Sequence, residues 1–177
     1  LFAHVVCHSG DMLFELGYGV EFPKAVNALA KWKGDFSLFL KDFKSARDKM
    51  SFPHELINAA GMASSYSANP KSPLGFDLPF DGHTAELIPA VWQRWLACDP
   101  VRLAKPKASE LKSLSTLYFD CGRKDEFFLH FGARALAREL KRLKVPHLHE
   151  EHDFGHFNMA ERYDRSLLLL GKAFGKK

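Results

Sequence analysis

A chain of 177 residues, 46% hydrophobic and 26% charged, has the size and balance of one folded domain with a sizeable core. Its net charge of +4 is too small, and its basic residues too scattered, for a nucleic-acid-binding protein, and no apolar run is long enough for a membrane-crossing helix. The cysteines, Cys7, Cys98 and Cys121, are three, far apart and without a CxxC pair, which reads as free thiols in a reducing compartment. With no basic-then-apolar leader at the start, the expectation is a cytoplasmic protein with no membrane or nucleic-acid partner.

The elements follow in chain order. Residues 1–7, LFAHVVC, are apolar and rich in β-formers and run into the turn-like HSGD, which predicts a buried strand. A core strand at the first residue is unusual for a domain, so the sequence reads as one whose earlier part lies upstream. A helix is predicted over 22–33, with Phe22, Val26, Leu29 and Lys33 on one face and Pro23 in its first turn. Over 36–43, Phe36, Phe39, Leu40 and Phe43 recur at helical spacing behind Asp35, a good N-cap. Pro53 opens a third helix over 53–65. Residues 66–83, YSANPKSPLGFDLPFDGH, form a loop long enough to suggest a functional or lid-like role. The helix over 86–97 carries Leu87, Ile88, Val91, Trp92, Trp95 and Leu96, and tolerates Pro89 only in its first turn.

The last third alternates. STLYFDC (115–121) predicts a second buried strand, and Cys7 and Cys121, both in apolar runs, are expected in the core. Gly122 turns the chain into a helix over 126–144, with Leu129, Ala133, Leu136, Leu140 and Leu143 on one face. Its basic residues, Arg134, Arg138, Lys141, Arg142 and Lys144, read as a solvated face. A third strand runs from Val145–Pro146 to about His152, and a last helix after His156 carries Tyr163, Leu167, Leu170 and Phe174. Strands alternating with amphipathic helices predict an α/β fold with a parallel sheet. The expected division is a core strand and loop over 1–11, a helical insertion over 12–113, and core strands and helices over 114–177.

In open parallel sheets, function gathers at the carboxyl ends of the strands. These ends are HSGD at 8–11, DCGRKDEF at 120–127 and DFGHFN at 153–158. Asp125 and His156 lie just past neighbouring strands, so the fold should bring them to one edge. An acid beside a histidine is the orienter-and-base half of a hydrolytic triad, with Gly155 giving the tight turn that lets the ring reach inward. Rival readings stand beside it. His156 fits a structural histidine, or a metal ligand with His147, His149, His152 and Asp153. Asp125 also fits a helix N-cap, and Asp120 and Asp153 are other candidate acids. No G-x-S-x-G occurs, so a nucleophile is lacking. Ser9, after the first strand, is a weak candidate, because Cys7 and Asp11 stand where the elbow needs small residues. Ser64 and Ser65 fall inside a predicted helix.

HSGD, DCGRKDEF with its helix, and GHFN followed by YDRSLLLL resemble the C-terminal part of the esterase branch of the α/β-hydrolase superfamily, which includes S-formylglutathione hydrolases, enterochelin esterases and mycolyltransferases. The resemblance covers most of the chain and is firmest over 114–175. It implies the C-terminal portion of an α/β-hydrolase sheet with a lid-like helical insertion between the first two visible strands. It implies Asp125 as triad acid, His156 as base, and a nucleophilic serine and oxyanion hole upstream of Leu1. It also implies a small-molecule ester substrate, no cofactor or metal, and the N-terminal half of the same fold as partner, the oligomeric state being open. An acyltransferase on the same site and a non-catalytic binding domain that kept the fold are the alternatives.

Overall fold

A computed structural model describes residues 2–157 and 159–175, and its chain divides into two compact units. Residues 18–98 form a helical unit, and residues up to 17 together with those from 99 form the unit that carries the sheet.

The sheet has strands β1 (His4–His8), β2 (Thr116–Gly122) and β3 (Leu148–His152), in the order β1-β2-β3, with both pairings parallel. The expected mixed α/β architecture with a parallel sheet is therefore present. The register aligns His8 with Asp120 and Asp120 with Glu150, so these three share a face. Side chains alternate across a strand, and β2 uses the two faces differently. Phe119 and Cys121 join an apolar cluster with Leu129, Ala133, Leu136 and Leu140 of helix α8 (Leu129–Arg142) and with Val145. Each fully buried Leu or Phe of this kind stabilises by roughly 1.5–3 kcal/mol. Tyr118 and Asp120 turn the other way, to helix α9 (Ala160–Phe174), where Arg162 meets both. Cys121 is buried as expected, whereas Cys7 is half-buried.

Three short helices escaped the sequence reading: α1 (Phe14–Gly17), α6 (Pro100–Ala104) and α7 (Ala108–Lys112). At four or five residues they are too short for a hydrophobic period. Asp99 caps α6 and also accepts the Phe14 N–H at 2.5 Å, which ties the start of the chain to α6. These segments belong to the sheet unit, so of the helical stretch between β1 and β2 only residues 18–98 form a separate compact unit.

The helical unit holds α2 (Phe22–Leu29), a 3-10 turn at Ala30–Trp32, α3 (Phe36–Ser45), α4 (His54–Tyr66) and α5 (Pro89–Leu96). The predicted 22–33 helix ends early because Lys33 and Gly34 take left-handed backbone. Asp35 caps α3 through the N–H groups of Ser37 and Leu38, and Pro89 is the first helical residue of α5, the one place where it fits. Much of the phenylalanine lies here. Phe22 packs against Phe80, Trp92 and Trp95, and Phe39 against Trp32, Phe36, Phe43 and Phe52. The 66–83 loop is anchored: Phe76 and Phe80 are buried, and Arg94 bonds both Asp77 and the Ala68 carbonyl. Among the described residues no helix is long and apolar enough to cross a membrane.

Candidate active site

β2 and β3 end side by side, with Gly122 aligned to His152, and the two loops beyond stay laced together. The Arg123 N–H donates to the His152 carbonyl at 2.8 Å and the Lys124 N–H to the Phe154 carbonyl at 3.3 Å. Gly122 permits this approach, since a Cβ there would stand 2.0 Å from the Phe154 oxygen. The Arg123–Asp153 ion pair also spans the loops, but both side chains are exposed and such pairs contribute little. Asp153 is three-quarters exposed and bonds Arg123, whereas the carboxylate that meets His156 is that of Asp125.

Asp125 points inward and is 2% exposed. Its Oδ1 accepts the backbone N–H of Phe127 at 2.9 Å and of Leu129 at 3.3 Å. This explains why α8 begins at Leu129 and not at the expected 126: the carboxylate organises a turn first, and Phe128 sits in left-handed backbone (φ 61°) before the helix starts. The other oxygen, Oδ2, lies 3.1 Å from Nδ1 of His156. The acid and the histidine chosen from the sequence therefore meet, across 31 positions of chain. The imidazole stands edge-on to Phe127 and Phe157, with 30% of its side chain exposed. Among the described residues no hydrogen bond occupies its Nε2.

Oδ2 of Asp125 also accepts from the Cys121 thiol at 3.6 Å. Burial pushes that thiol up to about 12; a hydrogen bond with Ser9 opposes the shift, and the nearby Asp125 carboxylate adds to it. Cys121 thus stays protonated and is a donor to the acid, not a nucleophile. Ser9 follows β1 directly and has left-handed backbone (φ 46°), two marks of a nucleophile turn. It is nonetheless buried, its N–H is spent on the Asp120 carbonyl, and its hydroxyl lies against Cys121 and the Met159 sulfur. No hydrogen bond joins it to His156. The hydroxyls of Ser64 and Ser65 donate back to the Ala60 and Gly61 carbonyls of α4.

The other histidines disperse. His147 and His149 both stack on Phe119, 5.9 and 4.9 Å between ring centres, on the α8 face. His152 lies near Asp120 on the opposite face, 4.0 Å away. Burial lowers the pKa of His149 and of His152, favouring neutral rings. Among the described residues no group of three or more His, Cys, Asp or Glu has the geometry to hold a metal.

Two features were missed from the sequence. Under α9, Asp120 accepts from His8 Nδ1 at 2.8 Å, from the Tyr118 hydroxyl at 2.5 Å and from Arg162 at 2.9 Å, while Arg162 and Arg165 also reach Glu150. The signal was there: a charged residue inside an apolar strand demands partners. The second is Glu126, which accepts the His156 backbone N–H at 2.7 Å. It had no distinguishing mark among ordinary surface glutamates. No protein-family model matches this sequence, and comparison with curated proteins finds no significant match.

Proposed function

We propose that this chain carries the acid and base of a serine esterase of the α/β-hydrolase class, with the nucleophilic serine supplied from upstream of Leu1. The observation that supports the reading is the Asp125–His156 pair at 3.1 Å, an inward carboxylate with a part-exposed imidazole, held on loops that leave adjacent parallel strands. The resemblance of GHFN, DCGRKDEF and HSGD to the esterase branch gives the order acid then histidine, and the 18–98 unit corresponds to that branch's helical insertion.

Each residue then has a step. Asp125, fixed by the Phe127 and Leu129 N–H groups, accepts a hydrogen bond from Nδ1–H, which stays on the ring and leaves Nε2 as the base. His156 takes the serine hydroxyl proton as the oxygen attacks the ester carbonyl carbon. The carbonyl π electrons move to oxygen, and the resulting imidazolium is steadied by Asp125. That proton passes to the departing alcohol as the C–O bond breaks and the acyl-serine forms. Water repeats the sequence: His156 takes its proton, and the serine leaves with that proton restored.

The test uses the protein that includes the upstream segment and a fluorophosphonate probe. The expected result is stoichiometric labelling of one serine upstream of Leu1, lost in His156→Ala. Labelling that persists in His156→Ala would overturn the reading. So would hydrolysis of a short acyl ester by residues 1–177 alone.

A further inference from the structure

The Asp125 loop and the His156 loop meet at a second carboxylate. Glu126 is exposed, yet its carboxylate lies against the histidine loop and is bonded to it through one oxygen. Oε2 accepts the His156 N–H at 2.7 Å, and Oε1 lies where a side chain on Gly155 would begin, 2.5 Å from the ideal Cβ position. Gly155 has no left-handed φ, so its backbone conformation alone does not call for glycine. A side chain at that position would collide with the Glu126 carboxylate as it stands.

We propose that Glu126 is a positioning residue for His156, clamping the Gly155–His156 backbone so that the imidazole stays on Asp125. This rests on the Asp125–His156 reading above. Adjacent residues thus divide the work, since Asp125 holds the ring and Glu126 holds the backbone that bears it. The hydrogen bond from the His156 N–H keeps the Glu126 carboxyl below its ordinary range, so the acceptor is charged at neutral pH and the bond is charge-assisted. Phe127 adds an edge contact to the ring, 4.9 Å between centres, from the same turn.

The clamp makes a coupling prediction. An alanine at position 155 meets the free end of a flexible side chain, not backbone. The cheap response is for Glu126 to swing away, which opens the clamp. Gly155→Ala should therefore copy Glu126→Ala, and should do almost nothing once Glu126 is already truncated.

The readout is exchange of the His156 Nδ1 proton with water, followed by NMR on the ¹⁵N-labelled 177-residue chain. Losing the clamp should speed exchange on the order of tenfold in Glu126→Ala and in Gly155→Ala, as expected for one charge-assisted hydrogen bond. Glu126→Gln keeps an acceptor oxygen and should stay within about threefold of the parent. The double variant Glu126→Ala/Gly155→Ala should match Glu126→Ala within about twofold. Unchanged exchange in Glu126→Ala overturns the proposal, and so does a full Gly155→Ala effect in the Glu126→Ala background. Asp125→Asn tests the underlying pair separately. If the Nδ1 proton signal survives that change, the acid–base reading itself fails; if it vanishes while Glu126→Ala is silent, only the clamp fails.

Discussion

Asp125 performs two tasks with one side chain, and Asp125→Asn should separate them. Oδ1 caps the turn before α8 through the Phe127 and Leu129 N–H groups, and Oδ2 faces Nδ1 of His156. Asparagine keeps an acceptor on the capping side and places an amide N–H₂ donor against the histidine. The ring must then offer a lone pair at Nδ1 and carry its proton on Nε2, the wrong tautomer for a base. Alanine removes both tasks. Loss of a cap costs about 1 kcal/mol, and an unpaired buried N–H such as that of Leu129 costs about 1–3 kcal/mol, so Asp125→Ala should lose on the order of 2–4 kcal/mol. Asp125→Asn should lose only about 1 kcal/mol, the charge-assisted part of the capping bonds.

Urea unfolding at matched slopes measures the stability pair, and ring-nitrogen chemical shifts of His156 give the tautomer. In the complete protein, Asp125→Asn should lower turnover by roughly 10³–10⁴-fold while the fold survives, as a wrong-tautomer histidine does in a triad. Equal destabilisation by Asn and Ala would refute the division of labour between the two oxygens. A parent-like tautomer in Asp125→Asn would refute the orienting role.

Three further outcomes are expected. Burial holds His149 and His152 below 6.5, so the unfolded chain binds protons first, and stability should fall as pH drops through about 6.5 and then level off; a pH series of urea midpoints checks this, and His152→Phe should flatten it. Glu150 is held at about 2 by Arg165 and Arg162 against its burial, so its contribution is present above 4.5 and is lost as pH falls through about 2, visible as a second acid-side decline that Glu150→Gln removes. In the helical unit, Trp95 is fully buried and its Nε1 donates to Ser67 Oγ at 2.8 Å, so Trp95→Ala should cost roughly 3–5 kcal/mol by urea unfolding, and a loss below about 1 kcal/mol would contradict its place in that core.

The parts of this protein that were legible in sequence are those that periodicity or turn chemistry controls. The face Leu129, Ala133, Leu136 and Leu140 announced α8, and β2 was plain from its apolar run. That the loops bearing Asp125 and His156 reach one edge followed from topology, because parallel neighbours end together, although topology left Asp120 and Asp153 as rival acids. What escaped was set by contacts remote in sequence. Asp99 caps α6 and, from 85 positions away, bonds the first residue of α1, while α7 rests on the packing of Ala108 and Leu111 against the core. The start of α8 moved because a carboxylate used for capping also had to face a histidine. At Gly155 the sequence suggests a turn but cannot show that a carboxylate from position 126 lies in its side-chain space.

The structure holds a second acid–histidine pair, and the contrast explains why only one is a candidate base. His8 Nδ1 lies 2.8 Å from Asp120, closer than His156 lies to Asp125, and His8 Nε2 is 3.0 Å from Ser166 Oγ, so Ser166, His8 and Asp120 reproduce the connectivity of a triad. Every valence there is nevertheless spent. Ser166 is 4% exposed on α9 and can donate its hydroxyl to the Tyr163 carbonyl at 3.0 Å, and the second Asp120 oxygen is shared by Tyr118 and Arg162. A substrate would have to displace a helix to reach this serine. Its cluster satisfies charges buried between sheet and helix, where an unpaired carboxylate would be costly. His156 differs in that its ring is oriented on one side and open on the other. Connectivity alone therefore does not mark a catalytic histidine; an unspent nitrogen within reach of solvent does, and among the acid–histidine pairs at the strand ends of the described residues only Asp125–His156 leaves one.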